Sequence, residues 1–160
     1  MARQSEVGVK QTEPITVAYV ARKGSFATIG EAMGALFGWI AQQGYTLAGP
    51  LRGTFYNAPG QVPEEELFWR ICAPIAGDVA PFGPDAQGFG VKELEPHQVA
   101  TIMHIGPFEE VGETYAALGG WIAENGYQIV GPSTEIWLSD PDTTPVAELL
   151  TEIQFPVAKG

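Results

Sequence analysis

Hydrophobic positions along this chain switch between two periods, and they do so twice. Residues 15–20 and 98–103 are short runs of β-branched and apolar side chains, which predicts strands. A glycine, Gly24 or Gly106, then opens a turn. Ile29, Met33, Leu36 and Ile40 follow at i, i+4, i+7 and i+11, and Val111, Tyr115, Leu118 and Ile122 repeat that spacing. Such spacing puts each set on one face of a helix. Gly44 and Gly126 stand where a left-handed glycine ends a helix. Gly-Pro turns at 49–50 and 131–132 lead into second strands at 52–57 and 134–139, and third strands are predicted at 67–73 and 149–155.

The order strand–helix–strand–strand therefore occurs twice, at an offset of 82 residues that matches Gly38-Trp39-Ile40-Ala41 to Gly120-Trp121-Ile122-Ala123. An ungapped comparison of 13–75 with 95–157 gives 24 identities in 63 positions, far above chance, so the chain carries an internal duplication. Two copies are too few for a solenoid, which leaves a pseudo-twofold pair. The organisation expected is a polar tail at 1–12, a first module at 13–80, a Gly- and Pro-rich linker at 81–94 and a second module at 95–160.

Helices separated from hairpin strands argue for an α+β fold. The expected architecture is one antiparallel sheet from the two modules, both helices on one face and a concave ligand cleft on the pseudo-twofold axis. Strand side chains alternate. In the last strand Leu149, Thr151, Ile153 and Phe155 share one face and Leu150, Glu152 and Gln154 the other. Both repeats keep an isoleucine, Ile71 or Ile153, and that face is assigned to the helices. Glu152 then points into the concavity, where the first copy has Arg70.

Composition narrows the function classes. Eight Lys and Arg against 19 Asp and Glu give a net charge of −11, which repels phosphate backbones and attracts cations. No nucleic-acid partner is expected. With one cysteine, Cys72, no intrachain disulfide can form, and no apolar run reaches the length of a membrane span, so a cytoplasmic protein without a membrane partner is expected. His97 and His104 have no Cys or carboxylate cluster at ligand spacing, and neither a metal nor another cofactor is expected.

The series Gly106-Pro107-Phe108, a helix ending Trp121-Ile122 before Gly126-Tyr127, then Gly131-Pro132, then Glu152-Ile153 before Pro156-Val157 resembles the GyrI-like family over about 13–157. That family includes effector-binding domains of multidrug-sensing transcription activators and stand-alone gyrase-inhibitor-like proteins. The resemblance implies paired modules around a ligand cleft with a buried acid on the last strand, at the position of Glu152. Only about a dozen residues precede the repeat, so no DNA-binding helix-turn-helix is expected before it.

The ligand-binding candidates are Glu152 with the aromatic and methionine residues placed on or beside the cleft strands: Tyr19, Phe26, Met33, Phe55, Trp69, Met103, Phe108, Tyr115 and Trp137. Aromatic walls suit planar ligands and favour cations, and a carboxylate among them keeps its charge when a cation pairs with it. The expected partners are planar aromatic or lipophilic-cation small molecules, such as xenobiotics, with a protein partner left open. Two alternatives stand beside this one. Glu152 pairs with Arg70 and needs no ligand, or Glu152 is the catalytic acid/base of a hydrolase acting on aromatic cyclopropanoid compounds. Trp39 and Trp121, each one turn after an alanine, are read as core packing.

Overall fold

The structure, a computed structural model, describes residues 3–58, 60–140 and 142–160. In chain order the elements are β1 (Arg3–Gln4), β2 (Gly8–Gln11), β3 (Ile15–Lys23), α1 (Ile29–Gln43), β4 (Arg52–Phe55), β5 (Phe68–Pro74), β6 (Phe89–Leu94), β7 (Gln98–Ile105), α2 (Val111–Glu124), β8 (Tyr127–Ile129), β9 (Ser133–Trp137) and β10 (Leu150–Lys159). The fold is α+β, and every strand pairing within each of its two units is antiparallel. One unit is Pro14–Glu95, and the other combines Met1–Glu13 with Pro96–Gly160. Among the described residues no helix is long and apolar enough to cross a membrane.

Within Pro14–Glu95 the strands lie in the order β4-β5-β3-β6. Helix α1 buries Ala32, Leu36 and Ile40; of the stripe that its periodicity predicts, Leu36 and Ile40 are buried and Ile29 and Met33 half-buried. It ends at Gly44, whose φ of 76° is the left-handed conformation that lets its amide N–H turn back to the carbonyls of Ala41 and Ile40. In the other unit β10 lies between β9 and β7, β8 extends one end of β10, and β1 and β2 line the far edge of β7. Helix α2 buries Thr114, Leu118 and Ile122, and its aliphatic pair packs with Ala100, Ile102, Ile153 and Val157. The Ile153 face of β10 is thus the helix face, as its alternation predicts.

Two segments depart from the expected organisation. The stretch before residue 13, expected as a polar tail, supplies two strands, with Val9 opposite Ala100 and Lys10 opposite Val99. The last six residues of the expected linker are also a strand: Phe89–Leu94 pairs along β3, with Val91 opposite Ala18 and Lys92 opposite Val17. In both segments pairing satisfies backbone groups that an edge of β7 or β3 otherwise leaves open. They are also copies of each other, since Gly8-Val9-Lys10 recurs at Gly90-Val91-Lys92 with the 82-residue offset. The duplication therefore starts before residue 13, and the leading strands are exchanged: β2, just N-terminal to β3, edges β7, and β6, just N-terminal to β7, edges β3.

The copies differ at one glycine in a way that can be measured. A Cβ on Gly90 would sit 2.5 Å from the Phe82 carbonyl oxygen and 2.6 Å from the Tyr19 hydroxyl, whereas a Cβ on Gly8 meets nothing within 4 Å. The difference arises because Tyr19 crosses over β6, while Thr101 holds the equivalent place opposite Gly8. Gly90→Ala is expected to lower unfolding stability by about 1–3 kcal/mol, the usual cost of overpacking. Gly8→Ala is expected to cost less than about 0.5 kcal/mol. Parallel urea melts of the two variants check the contrast.

Candidate functional site

Opposed residues on paired antiparallel strands point to the same side of a sheet. Glu135 lies opposite Ile153, and Trp137 opposite Thr151, so both project to the side that carries α2. Tyr115 approaches from α2. Its hydroxyl donates to Glu135 Oε2 at 2.6 Å, and the Trp137 indole N–H donates to Oε1 at 3.3 Å. Phe155 meets the Tyr115 ring edge-on, with centroids 5.8 Å apart. Burial pushes the Glu135 pKa up despite those two hydrogen bonds and the nearby His104. Burial, the Glu135 charge and their hydrogen bond likewise push the Tyr115 hydroxyl up. Among the described residues no Lys or Arg pairs with Glu135.

Glu152 projects to the opposite side of β10, as its alternation predicts, and is satisfied differently. Its Oε2 takes Lys10 Nζ at 2.7 Å, Gln154 Nε2 at 2.7 Å and Thr101 Oγ1 at 2.9 Å. Burial alone would raise this carboxyl, but those hydrogen bonds and the Lys10 charge outweigh it and hold the pKa below the usual value. The cation on Glu152 is thus Lys10 from β2, a residue assigned to the tail in the sequence. Because Lys10 is half exposed, with 49% of its side chain open, the pair is a weak one. Lys10→Met is expected to cost up to about 1 kcal/mol at neutral pH. A carboxyl held low in the folded state contributes stability that is present above its unfolded pKa and is lost as pH falls through the folded one. The cost of Lys10→Met should therefore fade in acid, as urea melts at neutral and acid pH would show.

The other candidates are dispersed. Trp69 is fully buried, its indole N–H donating to the Gly24 carbonyl at 3.0 Å, so it anchors the turn ahead of α1. His104 does the same work in the other unit: its Nε2 donates to the Pro107 carbonyl at 2.8 Å, and its Nδ1 meets Thr114 Oγ1 at 2.6 Å. Phe26 and Phe55 meet edge-on at 5.2 Å. Met33 is half-buried on α1, Phe108 is exposed before α2, and Met103 lies opposite Glu152 on β7. Tyr19, only 3% exposed, lies against the Arg70 guanidinium. Trp39 stacks on Phe89 and Trp121 on Tyr127, which is structural packing at the half-buried rims of the helices. Two surface depressions lie away from the Glu135 cluster: about 670 Å³ beside Trp121 and residues 4–7, and about 340 Å³ beside Phe26 and Leu67. Neither has a buried charged side chain in its lining.

Glu135 escapes a reading that looks for the acid on the last strand alone. A signal for it exists in the repeat, because Glu135 stands where the first copy has Gly53. Its surroundings change with it: Tyr115, Trp137 and Phe155 replace Met33, Phe55 and Ala73. A charge that one copy lacks entirely is not demanded by the fold the copies share.

The family model described as "GyrI-like small molecule binding domain" matches residues 5–158. No curated protein matches the chain in sequence. Among solved structures, the C-terminal domain of EcmrR is 22% identical with a TM-score of 0.79, covering 97% of this chain and 98% of that one. EcmrR in its DNA complex is 19% identical with a TM-score of 0.82, and there this chain spans only 58% of the EcmrR chain. A hydrolase from Listeria innocua is 16% identical with a TM-score of 0.70, covering 96% of this chain and 92% of that one. SAV2435, solved with tetraphenylphosphonium bound, is 16% identical with a TM-score of 0.57, covering 96% and 94%. At these identities the likeness is one of fold.

Proposed function

This chain belongs to the GyrI-like small-molecule-binding family, and from that premise we propose that it binds bulky aromatic cations, with Glu135 as the countercharge. One observation carries the reading: Glu135 is a half-buried carboxylate that has two hydrogen-bond donors and, among the described residues, no cation. A carboxylate removed from water without a countercharge is unfavourable, and a ligand that supplies the charge recovers that energy. Tyr115, Trp137 and Phe155 supply aromatic rings, whose faces attract a cation directly and match a flat apolar body. The net charge of −11 favours the approach of cations over anions. SAV2435, whose fold resembles this one, holds tetraphenylphosphonium, a cation of this class. The binding would serve sequestration or sensing of such compounds.

Titration of tetraphenylphosphonium against the wild type, Glu135→Gln and Glu152→Gln tests the proposal. Saturable binding that Glu135→Gln weakens and Glu152→Gln leaves largely intact is expected. No saturable binding, or equal affinity in wild type and Glu135→Gln, overturns it.

The 2.6 Å contact between Tyr115 and Glu135 favours a second reading, as a hydrolase. A carboxylate with a raised pKa is suited to take a proton from water near neutral pH, and the tyrosine hydroxyl that donates to it holds it in position. Here Glu135 takes the role that the sequence alone assigned to Glu152. Incubation with an aromatic cyclopropanoid compound, followed by mass spectrometry, should then give a product one water heavier that Tyr115→Phe slows. An unchanged substrate at high protein concentration removes the hydrolase reading and leaves the binding one standing.

A further inference from the structure

The Pro14–Glu95 unit departs from the repeat at a second place. Glu152 and Lys10 form an ion pair in one unit, and the equivalent positions in the other are Arg70 and Lys92. Two cations stand where the copy has a cation and an anion. Among the described residues neither Arg70 nor Lys92 is paired with a carboxylate, and the Arg70 Nε is buried without a hydrogen-bond partner. This is a strong local excess in a chain with only 8 Lys and Arg.

We infer that this sheet face, on the side of β5 away from Ile71 and centred on Arg70 and Lys92, binds an aromatic compound carrying a carboxylate or phosphate group. Tyr19 and Tyr56 lie against the guanidinium, with ring centroids 5.0 and 5.7 Å from Cζ. Rings against a guanidinium leave its N–H donors in the plane, where a carboxylate or phosphate is gripped by two parallel bonds. Tyr56 is 39% exposed and rests on Phe68 at 4.9 Å, a platform for the ligand's ring. Lys92 is half-buried, and its ammonium is pushed below the usual pKa by burial and then by the Arg70 charge, a strain that a bound anion relieves. Beneath them lies Cys72, whose thiol burial raises to about 11 while Arg52, Arg70 and Lys92 pull it the other way. The acid that acts on Tyr19, Asp85, has a carboxylate oxygen engaged by the amides of Gln87 and Phe89.

Calorimetric titration of the full chain with phenyl phosphate, benzoate and inorganic phosphate at low salt tests this site. Saturable binding of phenyl phosphate or benzoate is expected, tighter than that of inorganic phosphate. The preferred arm tells a phosphate ligand from a carboxylate one. Arg70→Glu puts an acid beside Lys92, the arrangement that Lys10 and Glu152 already have, so the variant should fold and lose at least about tenfold in affinity. Lys92→Met, which removes one charge and keeps most of the side-chain bulk, should also weaken binding and serves if Arg70→Glu does not fold. Glu135→Gln should bind the anion as the wild type does, which separates this site from the proposed cation site. Failure of both aromatic anions to saturate, or wild-type affinity in a folded Arg70→Glu or Lys92→Met variant, overturns the inference.

Discussion

Glu135→Gln is expected to weaken tetraphenylphosphonium binding by about 2 kcal/mol or more, roughly thirtyfold, while leaving the fold as stable at neutral pH as the wild type or more so. The two effects have one cause. Glutamine keeps the size of the side chain and an oxygen that can accept from Tyr115, and it removes the charge. The ligand loses its counterion, and the ligand-free protein loses a carboxylate that burial disfavours. The sign follows from linkage. A carboxyl whose folded pKa is raised favours folding below its unfolded pKa, and that contribution is lost as pH rises through the folded one. The wild type should therefore lose stability relative to Glu135→Gln as pH climbs out of the carboxyl range. Tetraphenylphosphonium should raise the wild-type melting temperature more at neutral pH than in acid. Thermal melts of both proteins at acid and neutral pH, with and without the cation, measure all of this. A Glu135→Gln protein that is clearly less stable at neutral pH would show the carboxylate to be a structural element and not a ligand site.

Trp69→Ala is expected to destabilise the fold by about 3–5 kcal/mol, lowering the melting temperature by roughly 10 °C. Trp69 is among the largest fully buried side chains, and its indole N–H satisfies the Gly24 carbonyl. Truncation leaves a cavity and an unsatisfied acceptor together. Trp69→Phe should recover most of the packing but not the hydrogen bond, for a cost of about 1–2 kcal/mol. Tetraphenylphosphonium affinity in the surviving folded fraction should not change, because the Glu135 cluster is built from the other unit. Denaturant melts give the stabilities, and titration at low temperature gives the affinity. A changed affinity with unchanged stability would restore Trp69 as a ligand contact.

Much of this protein is written locally in its chain. The 82-residue repeat, both helix stripes, the glycine that ends α1 and the Ile153-against-Glu152 facing of the last strand all follow from spacing, because helix and strand periods are properties of neighbouring residues. What spacing cannot supply is the identity of a partner across a sheet. Lys10 reaches Glu152 only because β2 pairs with β7 and β7 with β10, which joins the two ends of the chain. Glu135 becomes a half-buried acid only when β9 lies along β10 and α2 lowers Tyr115 onto it. Alternation tells which face a side chain takes, a choice made over two residues. Burial and countercharge are decided by contacts between separate elements, neighbouring ones for Glu135 and opposite ends of the chain for Glu152, so the chemistry of both carboxylates belongs to the tertiary structure.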